Sequence, residues 1–179
     1  MKYNIKKAKI KGMTLEVEME EIIYPENASP ITNDVIKKSD QLIHEDLRAA
    51  FNRLRPHLVL ICDQKEDIII KLHQGTGGNL EDQELIDSLT DIGITGYVIS
   101  GENEHAGVTL IGQKKTDLGT LNLISPFTKY ISDYQNGNEL ASIIEACNYE
   151  VECYLFEGKC CIKQMELPFD GEEEGGATD

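Results

Sequence analysis

The first twenty-odd residues, MKYNIKKAKIKGMTLEVEMEEII, alternate apolar and charged side chains nearly one by one. That is the period of a β-strand with one buried face. With Gly12 and Met13 as the tight turn of a hairpin, Lys9 faces Glu16 and Lys7 faces Glu18. On the other side Ile10 faces Leu15 and Ala8 faces Val17, so charges pair on one face and apolar residues on the other. A single long bent strand would alternate similarly. A Pro-containing loop follows at residues 24–32. The period then changes. Ile43, Leu47, Ala50, Phe51, Leu54, Leu58 and Ile61 recur at three- and four-residue steps, which predicts a long helix capped by Ser39 or Asp40. Pro56 lies inside this run, so the helix kinks there or restarts with Pro56 in its first turn.

Residues 67–72 (DIIIKL) are β-branched and predict a strand. GTGGNLEDQE reads as a flexible loop, and residues 81–89 as a short helix. Residues 92–125 predict an antiparallel meander, in which ITGYVIS, GVTLIGQ and LGTLNLIS are separated by the polar turns GENEHA and KKTD. Asn138 is positioned to cap a second long helix. Its apolar stripe is Leu140, Ile143, Ile144, Cys147, Val151, Tyr154 and Leu155, and Gly158 is its natural stop. Beyond about Lys163 the sequence turns to Pro, Gly and acids without a period that could pack, as in a disordered tail. The expected fold is α+β. A single domain, residues 1–162, packs an antiparallel sheet (N-terminal hairpin plus three-stranded meander) on two long helices, and a flexible acidic tail occupies 163–179.

Charge narrows the range of partners. Seventeen Lys and Arg oppose thirty-two Asp and Glu, for a net −15. Residues 1–11 hold five lysines and no acid, so the remainder carries −20. A field of that sign repels a phosphate backbone and argues against non-specific nucleic-acid binding. An acidic surface that mimics DNA is an alternative use of it. No apolar run approaches the ~20 residues of a membrane span, and the lysine-rich start lacks an apolar block or cleavage site. The expectation is a protein of the bacterial cytoplasm with no membrane partner.

Candidate chemistry is sparse. GTGG at 75–78 lacks the Gly-Lys-Ser/Thr ending of a phosphate loop. Asp82, Glu84 and Asp87 suit a solvated helix face. Glu157-Gly158-Lys159 matches the E-x-K half of a nuclease pattern, but it falls at a helix end and not on a strand. Cys62, Cys147, Cys153, Cys160 and Cys161 contain no C-x-x-C pair, and a zinc site would need His44, His57, His73 or His105 from elsewhere. Reduced thiols, no metal and no cofactor are expected, and catalysis is the less favoured reading.

The tail is more specific. Gln164, Met165, Glu166, Leu167, Pro168 and Phe169 resemble the bacterial sliding-clamp-binding motif, with Met165 where Leu is usual. The resemblance implies that Gln164 hydrogen-bonds at the mouth of a cleft while Leu167 and Phe169 fill an apolar pocket. Physically, Gln offers donor and acceptor, each apolar group contributes roughly 1.5–3 kcal/mol on burial, and Pro168 lowers the ordering cost. The alternative is a latch, in which Leu167 and Phe169 fold back on the domain. An acidic tail with a Pro-Phe pair also resembles the tails of single-strand DNA-binding proteins, although ten residues follow Phe169 here. More broadly, HEDLRAAFNRLRPHLVLICD, GVTLIGQKKTDLGTLNLISPF and EVECYLFEGK resemble uncharacterised phage and prophage proteins. These resemblances imply a non-catalytic accessory protein of phage-type DNA replication or recombination, brought to the sliding clamp by its tail. A nucleic-acid-processing enzyme using Glu157 and Lys159, and an acidic DNA mimic, are the alternatives.

The cysteine pattern makes a direct prediction. Titration of the unfolded, unreduced protein should count all five thiols, and elemental analysis should find no stoichiometric zinc. A bound zinc would reopen the enzymatic reading.

Overall fold

The N-terminal alternation folds as a hairpin of β1 (Lys2–Lys11) and β2 (Thr14–Ile23). Lys9 pairs with Glu16, Lys7 with Glu18, Ile10 with Leu15 and Ala8 with Val17, the register set by the apolar pattern. Gly12 turns the chain at φ +64°, a conformation that glycine adopts without strain. A bulge between Ile5 and Lys7 lets Lys6 reach Glu20 at 3.2 Å, beside the Lys7–Glu18 and Lys11–Glu16 pairs. The lysines of β1 thus have a structural role in the ladder. The computed structural model describes residues 2–65 and 79–161. The strand expected at 67–72, the GTGG segment and the tail lie outside these residues.

The chain next forms β3 (Ile31–Lys38), paired with β2 along its full length. Sequence patterning missed this strand because none of its residues is fully buried, so no apolar face marks it. A two-residue strand, β4 (Leu42–Ile43), leads to α1 (Glu45–Asn52) and α2 (Arg55–Ile61). The expected long helix is therefore two short ones: α2 restarts at Arg55 with Pro56 in its first turn. The cap is also corrected. His44 Nδ1 accepts from the Asp46 amide at 3.2 Å, whereas Ser39 Oγ accepts from Gln41 N in the preceding turn. The helix at 81–89 appears as α3 (Gln83–Ser88), with Asp82 as its cap.

The meander forms as β5 (Ile92–Ser100), β6 (Gly107–Thr116) and β7 (Gly119–Ile124), followed by the short β8 (Thr128–Lys129). The long helix is α4 (Gly137–Phe156); it begins at Gly137, so Asn138 lies inside it and Asn136 takes the cap position. Gly158 ends it at φ +72°, and the amides of Glu157 and Lys159 both reach the Cys153 carbonyl. A final strand, β9 (Cys160–Cys161), pairs with β4.

The main sheet runs β3-β2-β1-β5-β6-β7, with β8 also on β6 and all described pairings antiparallel. One face is covered by α1, α2 and α4. Val17, Met19, Tyr97 and Leu110 from the sheet meet Leu47, Phe51, Ile144 and Val151 in one buried cluster. Over β6 the packing is close: a Cβ added at Gly112 would lie 2.5 Å from Leu58 Cδ2. The domain is α+β, with one long helix where two were expected. Among the described residues no helix is long and apolar enough to cross a membrane.

Ile144 is buried on the inner stripe of α4. Ile144→Asp would place an unpaired charge in that contact and should lower stability by several kcal/mol, on the order of 3–5. An unchanged melting temperature would remove α4 from the core.

Candidate functional site

The motif residues Gln164, Met165, Leu167, Pro168 and Phe169 lie outside the described residues. What is described is the strand they follow. β9 pairs Cys160 with Ile43 and Cys161 with Leu42, and the Ile43 amide donates to the Met13 carbonyl at 2.9 Å. The chain therefore reaches Cys161 beside the turn of the N-terminal hairpin.

The E-x-K fragment has a structural occupation. Lys159 Nζ lies 2.8 Å from Asp46 Oδ2 and 2.7 Å from Glu150 Oε2, joining the start of α1 to the last turns of α4. These two carboxylates raise the Lys159 pKa, and Lys159 in turn holds Asp46 below the usual carboxylate range. Glu157 sits at the exposed end of α4. No strand carries the fragment. Asp82 caps α3, and Gln83 Nε2 donates to Asp87 at 2.8 Å on an exposed face.

The cysteines are unbridged. Cys147 is buried on the inner face of α4, and burial pushes its thiol up to about 12, which makes it a poor nucleophile. Among the described residues no group of three or more His, Cys, Asp or Glu is arranged to hold a metal.

A site that the sequence did not announce lies elsewhere. A cavity of about 630 Å³ opens between the end of α2, the segment before α3, the β7–β8 connection and the first turn of α4. Leu60, Leu80, Pro126 and Phe127 give it apolar walls, while Asp63, Asp133, Tyr134 and Glu139 supply polar groups. Beside it lies His57 of α2, completely buried. Its Nδ1 is 3.0 Å from the Tyr134 hydroxyl, and the two rings meet edge to face. Burial pushes the Tyr134 phenol up to about 12, so it stays protonated and can donate to Nδ1. The imidazole proton then belongs on Nε2, which points at Glu139 Oε1 across 3.9 Å, too long for a hydrogen bond. Both atoms are buried and unpartnered. Burial, reinforced by nearby Glu81, raises the Glu139 pKa. Loss of water lowers that of His57 to about 4.

In the sequence His57 stands out only as a distant candidate zinc ligand, and neither Tyr134 nor Glu139 stands out at all. The one available signal was a histidine inside the apolar run HLVLI of α2. Nothing local connects it to a tyrosine 77 positions away.

The buried imidazole predicts a pH dependence. His57 has a folded pKa of about 4 against an ordinary value of 6.5. Between these values the unfolded chain binds the proton more readily, so stability falls as pH drops through that window, by on the order of 3 kcal/mol in total. Glu139, raised on folding, acts in the opposite sense, adding stability toward low pH and losing it as pH rises through its folded pKa. His57→Gln should therefore flatten the decline in melting temperature between pH 6.5 and 4. An equally steep decline in the variant would assign the acid sensitivity to other groups.

Comparison with protein-family models, curated proteins and solved structures finds no match to this chain.

Proposed function

We propose that the protein is a non-catalytic accessory factor of phage-type DNA replication or recombination, recruited to a bacterial sliding clamp by Gln164, Met165, Leu167, Pro168 and Phe169. The observation that carries this reading is the six-residue pattern Gln-Met-Glu-Leu-Pro-Phe, beginning three residues after β9. A linear motif needs to stand outside the packed elements to enter a cleft on its partner. This one follows the last described strand in sequence and precedes a run of acids and glycines. Its chemistry suits such a cleft: an amide that both donates and accepts, two large apolar groups, and a proline that stiffens the peptide between them. The ion pairs of Lys159 with Asp46 and Glu150 weigh against the rival assignment of Glu157 and Lys159 to nuclease chemistry.

A peptide of residues 163–170 should bind a bacterial sliding clamp in a calorimetric titration. Changing Leu167 and Phe169 together to Ala removes both apolar groups and should weaken binding by at least about 100-fold. In the full chain the same double change should leave the melting temperature nearly unaltered. The latch reading expects the reverse, no clamp binding and a clear loss of stability.

A further inference from the structure

We propose that the cavity beside His57 binds a small organic cation, an ammonium group carrying an apolar body. Its volume of about 630 Å³ lies in the range of small-molecule sites. The described lining carries three acids, Asp63, Asp133 and Glu139, and no Lys or Arg. Arg53 lies near Glu139 but is paired with Glu81, so an anionic ligand would meet repulsion from the three acids with no cation among the described lining residues to offset it.

Two observations besides the acids point to a ligand. One is the apolar wall of Leu60, Leu80 and Phe127, which gives a hydrocarbon body a surface to cover. The other is an unpartnered pair, of which Glu139 lines the cavity and His57 lies behind it. His57 is completely buried, and its Nε2 is directed at Glu139 Oε1, yet they are 3.9 Å apart and neither atom has a partner. A buried carboxylate oxygen without a donor is costly, and an ammonium supplies both the missing hydrogen bond and the opposite charge. Asp133 is held in place for the same role: its carboxylate accepts from the Lys129 amide at 3.3 Å and from Ser132 Oγ at 2.7 Å. A bare metal ion suits the cavity less well. Among the described residues no three candidate ligands converge, and the apolar wall would contribute nothing to it.

The test uses the full chain and three probes of one shape: phenethylammonium, uncharged phenethyl alcohol and anionic phenylacetate. Amide chemical shifts are followed by NMR at millimolar probe. Phenethylammonium should give saturable shifts centred on Leu60, Asp63, Phe127 and Glu139. The alcohol should bind about tenfold more weakly or worse, and phenylacetate should leave these residues unshifted. Glu139→Gln should weaken the ammonium probe by a similar factor. If that variant does not fold, Asp63→Asn replaces it, since Asn tolerates the left-handed backbone at φ +50°. Equal binding of ammonium and alcohol would overturn the inference. So would unsaturable shifts spread over the acidic surface, or no shift at the cavity.

Discussion

Phe51 of α1 and Tyr97 of β5 meet in the middle of the domain, both completely buried, with ring centroids 5.4 Å apart. The remaining packing is organised around this contact because the sheet has one face to bury and only short helices plus α4 to bury it under. Tyr97 sends its hydroxyl across the layer to Asn148 Oδ1 at 2.7 Å, which meets the polar need of a buried phenol and fixes α4 over the strand. Phe51 does the same for α1 by packing alone. Once these two helices are placed, α2 settles on β6 over Gly112, and the cavity forms where α2, the β7–β8 connection and the start of α4 diverge. The candidate site is thus a consequence of how the helices tile the sheet.

How much of this was legible depended on whether a segment buries one face. The hairpin register could be read residue by residue, because Lys7, Lys9, Glu16 and Glu18 share one face while Ala8, Ile10, Leu15 and Val17 share the other. The apolar stripe of α4 was equally plain. The edge strand β3 was not, since hydrogen bonds to β2 hold it without a buried face of its own. The division of the first helical run into α1 and α2 was half legible. Pro56 marked the break, but the true cap, His44, is a residue seldom read as one. The two-residue strands β4 and β9 lie below any periodicity and exist only through pairing with a partner far along the chain, 117 residues away for Ile43 and Cys160.

The acidic composition looks different once the charges are located. Lysines of β1 are interleaved with glutamates of β2, and Lys38 of β3 adds a second partner to Glu16 at 3.4 Å. Lys37 instead lies on the helix-covered side, over the rings of Tyr3 and Phe156. This part of the sheet therefore alternates in sign. Such a surface does not reproduce the continuous negative track that a DNA mimic needs, and it offers no uniform positive track for a phosphate backbone. Part of the net −15 sits in the six acids of residues 163–179, around and after the motif.

The motif's chemistry does not account for the interior of the folded domain. A recruitment peptide needs only a chain long enough to present it, so Leu167 and Phe169 explain nothing about Phe51, Tyr97 or the buried histidine. His57 makes one hydrogen bond where its ring nitrogens permit two, and the second faces a carboxylate out of reach. A leucine there would pack in an apolar helix face without that desolvation cost. The pair is thus kept at a cost to stability beside an acid-lined cavity, a cost that the proposed ammonium ligand would offset.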